Sequence, residues 1–592
     1  ELRPVQVKAI QAILDTPHNV LITSGTASGK TEAAILPILT LLQAIPSTSI
    51  GVLYVGPLKA LINDQFERVQ AMLDQSGIPV QSWHGDVARS PRSRFLRNAQ
   101  GILQITPESL EAMLMHRNAE LARLFGDLRF VIIDEVHAFI NSDRGRQVIC
   151  QLQRLAYYQK TPPRRIGLSA TIGEPELAMT WLSGGSASST LLIDDADGKR
   201  SVQLGLEHFV IKDDPPNIKD GSAAEMESSV VQGDDGDSPN SVSTQHVNKD
   251  DIDALYLHMY QMCQNAHKSL IFANTRGDTE KIGYALRELA LRHHTPDIYH
   301  VHHGSLSAAL RETAEDAMRD TSRPTAIAAT VTLELGIDVG QLDQVLQLES
   351  THSVSSFVQR LGRSGRRGSP STMFLYSRER VTDSTDPSGH IPWNLLQTIA
   401  IIQLYIAEKW VEPPAIPKYP FSLLYHQTMS TLAAATELSP ARLAERVLTL
   451  PPFVQISQEQ YRTFLLHLLE LQHLEKMETG ALIIGLQGEK VINNYRFYAT
   501  FEDDSGYKVM AQTREIGSIP SVPPVDTTIG LAGFTWRIVS VDDEHRSIQV
   551  QRARGKPQVV WVGGGIDIHD RIVQRVRQVL TEGKNYGYLL PH

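Results

Sequence analysis

The sequence predicts an α/β protein: two tandem parallel-sheet domains, then a winged-helix domain and a small antiparallel β module. Three observations predict it. From Arg3 to about Ile211, short apolar runs bounded by Gly, Pro or Ser alternate with amphipathic segments, and the same alternation restarts near residue 252. Continuous apolar strands between helices mark a parallel sheet covered on both faces. The texture then becomes helix-periodic over roughly 386–487 and strand-periodic from about Asn493 to Gly563.

The strands of the first domain are NVLIT (19–23), IGVLYVG (50–56), GILQIT (101–106), RFVIID (129–134) and RIGLSA (165–170). Those of the second are SLIFAN (269–274), IYHVHH (298–303), PTAIAAT (324–330) and QVLQLES (344–350). In the third region, helix-period segments cover 393–409, 420–435, 439–449 and 457–473, and Ser457 with Gln460 forms a capping box. EKMETGALIIGL then supplies a strand–turn–strand around Thr479-Gly480. Helices followed by a hairpin suggest a winged helix, with plain helical packing as the alternative. The alternating runs YRFYATF, YKVMAQT, TIGLAGFTWRIVSVD and SIQVQRA read as an antiparallel barrel or sandwich, closed by a helix over 567–581.

Composition narrows the class further. The 592 residues are 42% hydrophobic, enough for several cores. No apolar run reaches the ~18 residues of a membrane span. The two cysteines, Cys150 and Cys263, form no CxxC, which speaks against a disulfide scaffold or cysteine metal site and points to a reducing cytoplasm. The net charge of −10 seems to oppose a polyanionic partner, yet Asp213–Asp253 alone carries eleven carboxylates against two lysines and has no aromatic residue. It reads as a flexible acidic linker, and the remainder is close to neutral. The expected divisions are 1–212, the linker 213–251, 252–385, 386–487 and 488–592.

The chemistry starts at SGTASGKT (24–31), between an apolar strand and a helix. That context suits a phosphate-binding loop: backbone N–H groups of Ser24, Gly25, Thr26, Ala27, Ser28 and Gly29 face the phosphates, Lys30 reaches the β/γ oxygens, and Thr31 can ligate Mg²⁺. VIIDEVH (131–137) sets Asp134 to hold the ion and Glu135 to orient and deprotonate an attacking water. Ser169-Ala170-Thr171 ends another strand, and QRLGRSGRRG (359–368) offers Gln359, Arg363 and Arg366 to the γ-phosphate. The order of these motifs, three of them at strand ends, points to phosphoryl transfer.

These residues resemble a superfamily 2 helicase of the DEVH-box type over nearly the whole chain. Gln6 in LRPVQ resembles the Q motif, GPLKALINDQ motif Ia, TPESL Ib, IDEVH II, LSAT III, FANTRGDTE IV, ATVTLELGIDVG V and QRLGRSGRRG VI. WHGD, LELGID, LLYHQTMS and IGLAGFTWRIVSVD resemble the Lhr-like (large helicase-related) group. The resemblance implies two RecA-like domains, ATP and Mg²⁺ as cofactors, and a nucleic-acid partner, single-stranded DNA first, with RNA or an RNA–DNA hybrid as alternatives. It implies that Gln6 reads adenine, that Gly336 and Asp338 complete the ATP site, and that His137, Ser169 and Thr171 couple ATP state to domain closure. Lys59, Thr106, Pro107, Asn274, Arg276, His303, Gly304 and Thr330 would line the nucleic-acid track. The implied activity is ATP-driven 3′→5′ translocation and unwinding; the competing readings are an RNA helicase and an ATP-gated clamp with little unwinding.

The interval from Asp338 to Gln359 is too short for a long strand-separating hairpin between motifs V and VI, so any wedge comes from the winged helix or the β module. Trp536 and Trp561 are the aromatic candidates for stacking on bases. Trp536 in GFTWRIV also alternates like a core residue.

Overall fold

The computed structural model describes residues 2–590 except 26–27, 74–75, 84–94, 171, 195–200, 213–253, 335–339, 366–368, 382–386, 415–417, 500–505, 520–521, 523, 544, 556 and 558–567. The predictions for Thr26, Ala27, Thr171, Gly336, Asp338, Arg366, Trp561 and the acidic linker fall outside the described residues, as does the Lys59 side chain.

The first sheet comprises β1 (Asn19–Thr23), β2 (Ile50–Val55), β3 (Val80–Trp83), β4 (Gly101–Ile105), β5 (Phe130–Ile133), β6 (Arg164–Ser169) and β7 (Thr190–Asp194), ordered β3-β4-β2-β5-β6-β1-β7. All its pairings are parallel. β1, β2, β4 and β5 are buried at every position, as a sheet covered on both faces requires. Two separate apolar clusters pack against it.

The second sheet comprises β8 (Val202–Lys212), β9 (Lys268–Phe272), β10 (Tyr299–His302), β11 (Thr325–Ala329), β12 (Gln344–Leu348) and β13 (Ser371–Val381), ordered β10-β11-β9-β12-β13-β8. It too is wholly parallel. β8 corrects the expected boundary at 212. It pairs with β13 from Val202↔Ser371 to Lys212↔Val381, so the second domain begins before the acidic segment and resumes after it.

The third region holds the helices Trp393–Ile406, Phe421–Ala435, Pro440–Leu448 and Gln458–Glu470, then a hairpin of β14 (Leu474–Lys476) and β15 (Leu482–Ile484). Ser457 and Gln460 make the reciprocal capping bonds, 2.8 and 3.2 Å. Gly480, at φ +83, supplies the left-handed turn. The first of these helices belongs to the core of the second domain, together with Val411.

The last region forms a five-stranded sheet of β16 (Tyr507–Ala511), β17 (Arg514–Ile519), β18 (Thr528–Leu531), β19 (Phe534–Asp542) and β20 (Ser547–Arg552), ordered β17-β16-β20-β19-β18. It is mixed, not purely antiparallel, because β16 and β20 run parallel where the chain crosses back. The final helix, Asp570–Glu582, is likewise no part of the β module. Its Ile572 and Val579 join the second domain's core, and the segment after it closes on β8 through Leu206 N–H to Tyr588 O (2.8 Å) and Leu590 N–H to Leu206 O (3.0 Å). No described helix is long and apolar enough to cross a membrane.

Candidate active site

β5, β6 and β1 are neighbours in the first sheet, so their carboxyl ends set Asp134, Ser169 and the loop 24–31 side by side. Parallel sheets present ligand sites at that edge. Gly29 sits at φ +82 immediately before the helix Lys30–Ala44, and a Cβ there would lie 2.2 Å from Gln6 Nε2. Gln6 donates to Gly29 O at 3.2 Å and accepts from Arg3 N at 2.9 Å, tying the first helix to the loop. Lys30 Nζ donates to the carbonyls of Ser24 (2.7 Å) and Gly25 (3.0 Å). Ser28 Oγ is buried and has no hydrogen-bond partner among the described residues. A partnerless buried hydroxyl beside a lysine and a helix N-terminus fits a phosphate. Thr31, also buried, starts that helix.

Asp134 is 5% exposed and accepts from the Tyr54 hydroxyl and from Glu135 N (2.9 Å). Burial, with the Glu135 charge beside it, pushes its carboxyl up to about 7, against the pull of Tyr54 and Lys30. Two adjacent carboxylates short of positive charge are a setting that a divalent cation would complete. Among the described residues no three His, Cys, Asp or Glu side chains converge as an all-protein metal cage. An ion held through Asp134, Thr31 and substrate oxygens needs none. Tyr54 escaped the sequence reading because it sits inside an apolar strand. Burial and Asp134 in turn push its hydroxyl far up, so it stays a donor.

Glu135 adopts φ 50, ψ 51, a left-handed conformation for a non-glycine residue at the strand end, which stores strain at the site. Two residues on, His137 Nδ1 lies 3.4 Å from Glu135 Oε2 and 3.2 Å from Ser169 Oγ, and accepts the Ala170 N–H at 3.2 Å. Burial lowers the imidazole's pKa and keeps it neutral.

The second domain faces this edge. The charges of Glu334 and Arg363 act on His137 together with those of Glu135 and Lys30. Arg363 is 2% exposed and donates to Glu334 O at 2.6 Å. Gln359 Nε2 donates to Ser355 Oγ at 3.1 Å along the helix Val354–Leu361. Arg360, which the sequence reading passed over among neighbouring arginines, is the organiser of this motif. It is buried and donates to Glu334 Oε2 (2.9 Å), Gln347 Oε1 (2.7 Å) and Asn274 Oδ1 (3.3 Å).

The residues expected to line a nucleic-acid track divide. Thr106 caps the helix Pro107–His116 through Ser109 N (3.4 Å), and Pro107 is buried at its first turn. Arg144, also missed, donates to both Glu108 carboxylate oxygens and to Pro57 O, joining the Pro57 loop to that helix. Gly304 is exposed with open space around it, Thr330 donates its N–H to His302 O (3.3 Å), and Arg276 opens the helix Arg276–Arg292. Asn274 is engaged internally, donating to Ser350 O at 2.7 Å.

Two further residues expected on the track make contacts inside the protein. His303 is fully buried with Nε2 2.8 Å from Glu280 Oε1, and Glu280 also accepts the N–H groups of Ala532 and Gly533. The β18–β19 turn seals this pair, so His303 and Glu280 fasten the β module to the second domain. Trp536 donates Nε1–H to Leu531 O (2.8 Å), pairs with Ile529 across the strands and packs on the module's core. The Arg552 guanidinium lies 5.1 Å over its ring, so this half-buried indole packs within the module.

Residues 3–180 match the family described as DEAD/DEAH box helicase, and residues 251–368 match the helicase conserved C-terminal domain. The chain is 31% identical over 378 residues to an ATP-dependent helicase Lhr-Core of Methanothermobacter thermautotrophicus, covering 60% of this chain and 40% of that protein. It is 30% identical over 424 residues to an Lhr helicase/probable uracil glycosylase of Mycolicibacterium smegmatis, covering 64% and 26%. The chain thus spans less than half the length of these curated relatives. The solved structure of Mycobacterium smegmatis helicase Lhr bound to ssDNA and AMP-PNP aligns with TM-score 0.64 and 26% identity over 86% of this chain and 61% of that one. The helicase MrfA bound to DNA aligns with TM-score 0.67 at 18% identity, covering 93% and 67%, a likeness of fold.

Proposed function

The chain belongs to the superfamily 2 helicases, in the Lhr-like group, and on that premise we propose an ATP-driven translocase that runs 3′→5′ on single-stranded DNA and unwinds DNA or RNA–DNA duplexes in the cytoplasm. One observation carries the reading: Lys30, Asp134, Glu135, His137 and Ser169 converge at one sheet edge with Arg363 of the second domain opposite. The phosphates of ATP would rest on loop 24–31, with Lys30 at the β/γ oxygens and Gln6 at the adenine. Thr31 and Asp134 would hold Mg²⁺, which when bound neutralises charge on the β and γ oxygens. Glu135 takes the proton of the water that attacks the γ-phosphorus while the bond to the β–γ bridging oxygen breaks and ADP leaves. Arg363 and Arg366 compensate the charge from across the cleft.

Along the track, Lys59, Thr106, Arg276, Gly304 and Thr330 would serve mainly phosphates, as sequence-independent movement requires. The relative solved with ssDNA supports single strands as the partner. We read the helices 421–470 and their hairpin as the winged helix, which would supply the strand-separating wedge.

The test is ATPase and strand displacement by the purified chain with single-stranded DNA or RNA. DNA should stimulate turnover, and Glu135→Gln should abolish it while retaining nucleotide and strand binding. Lys30→Ala should lower nucleotide affinity itself. Normal ATPase in Glu135→Gln would sink the assignment, and stronger stimulation by RNA would shift the reading to an RNA helicase.

A further inference from the structure

We propose that Glu412 is a positioning residue for the ATPase cycle, setting the helix Val354–Leu361 against the first domain from the linker that joins the two domains' helical attachments. The proposal rests on the function given above. Glu412 lies between the helices Trp393–Ile406 and Phe421–Ala435. Its Oε1 accepts the N–H of Val354 at 2.5 Å and its Oε2 the N–H of Ser355 at 2.9 Å. Ser353 Oγ takes the next N–H, from Ser356, at 3.0 Å. Both oxygens of one carboxylate are thus committed to the N-terminus of the helix that carries Gln359 and Arg360 and leads into Arg363, where negative charge is favourable.

The same dipeptide meets the other domain. A Cβ on Gly173 would lie 2.3 Å from Val411 O and 2.6 Å from Glu412 O, so the two backbones touch directly. Gly173 stands two residues beyond Thr171, in the loop that leaves Ser169. The linker is held from the second domain's side as well: Val411 is 6% exposed in that domain's core, and Trp410 packs edge-on against His569 at 5.1 Å. Past the linker, Phe421–Ala435 is fastened to the first domain, where Gln427 and Ser430 bond Arg154 and Glu111. One end of the linker therefore belongs to each domain. Its Val411–Glu412 step contacts both sides of the cleft, and a change in cleft geometry must move it. A plain helix cap needs no contact with Gly173.

The experiment uses the full chain with saturating single-stranded oligo-dT. In Glu412→Ala, kcat for ATP should fall about tenfold while KM for Mg-ATP and nucleotide affinity stay within about twofold, because the phosphate cradle lies in the first domain. Glu412→Gln, which keeps one acceptor, should be intermediate. Gly173→Ala leaves the cap chemically intact but displaces the linker. It should show the same loss of kcat at unchanged KM, and it carries the test if Glu412→Ala does not fold. Adding Gly173→Ala to Glu412→Ala should cost little more, since both act through the placement of the same Val411–Glu412 step. Unchanged kcat in Glu412→Ala, or a loss there with Gly173→Ala unaffected, overturns the proposal. So does a joint loss of kcat and ATP affinity of the Lys30→Ala kind. A wild-type chain without strand-stimulated ATPase would instead overturn the parent function.

Discussion

His137 Nδ1 lies 3.2 Å from Ser169 Oγ, which joins the carboxylate motif at the end of β5 to the Ser-Ala-Thr motif at the end of β6. Because the same nitrogen accepts the Ala170 N–H, the imidazole is neutral and its contact with Glu135 is not an ion pair. In the proposed cycle its part would be geometric, passing the state of the carboxylates to the strand end at Ser169 and Ala170. His137→Ala and Ser169→Ala should keep nucleotide binding and at least about a third of the ATPase. Duplex unwound per ATP should drop roughly tenfold, the scale of one buried hydrogen bond at ~1–1.5 kcal/mol. The ratio of unwinding to ATP consumption is the measurement. Equal losses in both would place His137 in the chemistry.

A second expectation concerns acid stability. Glu111 is fully buried; burial alone would raise its carboxyl, but Arg154, His426, Ser430 and Gln151 outweigh it and hold it at about 2 against an ordinary 4.5. A depressed folded-state value means that the stabilisation is complete above pH ~4.5 and is lost as pH falls toward 2. Its size is on the order of 3 kcal/mol. Arg154 and Glu111 come from the first domain and Gln427 and Ser430 from the third region, so the loss loosens the docking of that region. Glu111→Gln should flatten the acid limb of the unfolding curve below pH ~5. It should also destabilise the chain at neutral pH by roughly 3–5 kcal/mol, because Arg154 is left buried without its counter-charge. Thermal unfolding between pH 3 and 7 decides it; an unaltered acid limb would assign the pH dependence elsewhere.

Removal of residues 215–248 should be tolerated. β8 ends at Lys212 and the helix Ala254–Gln264 follows, both in the second domain, with His258 Nδ1 3.1 Å from Glu207 Oε2. The deletion therefore shortens a connection between two elements already fixed in one unit, and closure entropy changes only with the logarithm of length. ATPase should stay near wild type. A large fall in stimulated activity would mean that the acidic stretch docks on the protein, as a mimic of the nucleic-acid backbone would.

What the sequence made legible follows from how local each signal is. The ends of β1, β5 and β6 carry the phosphate loop, Asp134–Glu135 and Ser169, and apolar strand periodicity locates them within a residue or two. β8 was misplaced because its partner β13 lies well over a hundred residues downstream, across the acidic segment, and nothing local records that pairing. Tyr54 and Arg360 were missed for opposite reasons: one resembles core, and the other stands beside arginines with more obvious tasks. For His303 the local sequence gives only a strand end, whereas the buried carboxylate beside its ring, Glu280, lies on a separate helix and also grips the β module. Trp536 alternates as a core residue does, and its ring packs against the module's core.

The last prediction concerns closure. Lys30 and Glu135 belong to the first domain and Arg363 to the second, with the charge of Arg363 already felt at His137. Hydrolysis then needs both domains in register, and a strand that touches Thr106 on one side and Thr330 on the other should favour that register. ATPase should be weak alone and rise with single strands. Arg363→Ala and Arg366→Ala should lose the stimulated rate while keeping much of the ATP affinity, since the first domain contributes most of the phosphate cradle. In a salt titration, strand stimulation should decline roughly linearly on a log–log plot, because each phosphate contact releases counterions. A basal rate already maximal without a strand, or a stimulated rate untouched by both arginine variants, would rule out closure as the step that nucleic acid controls.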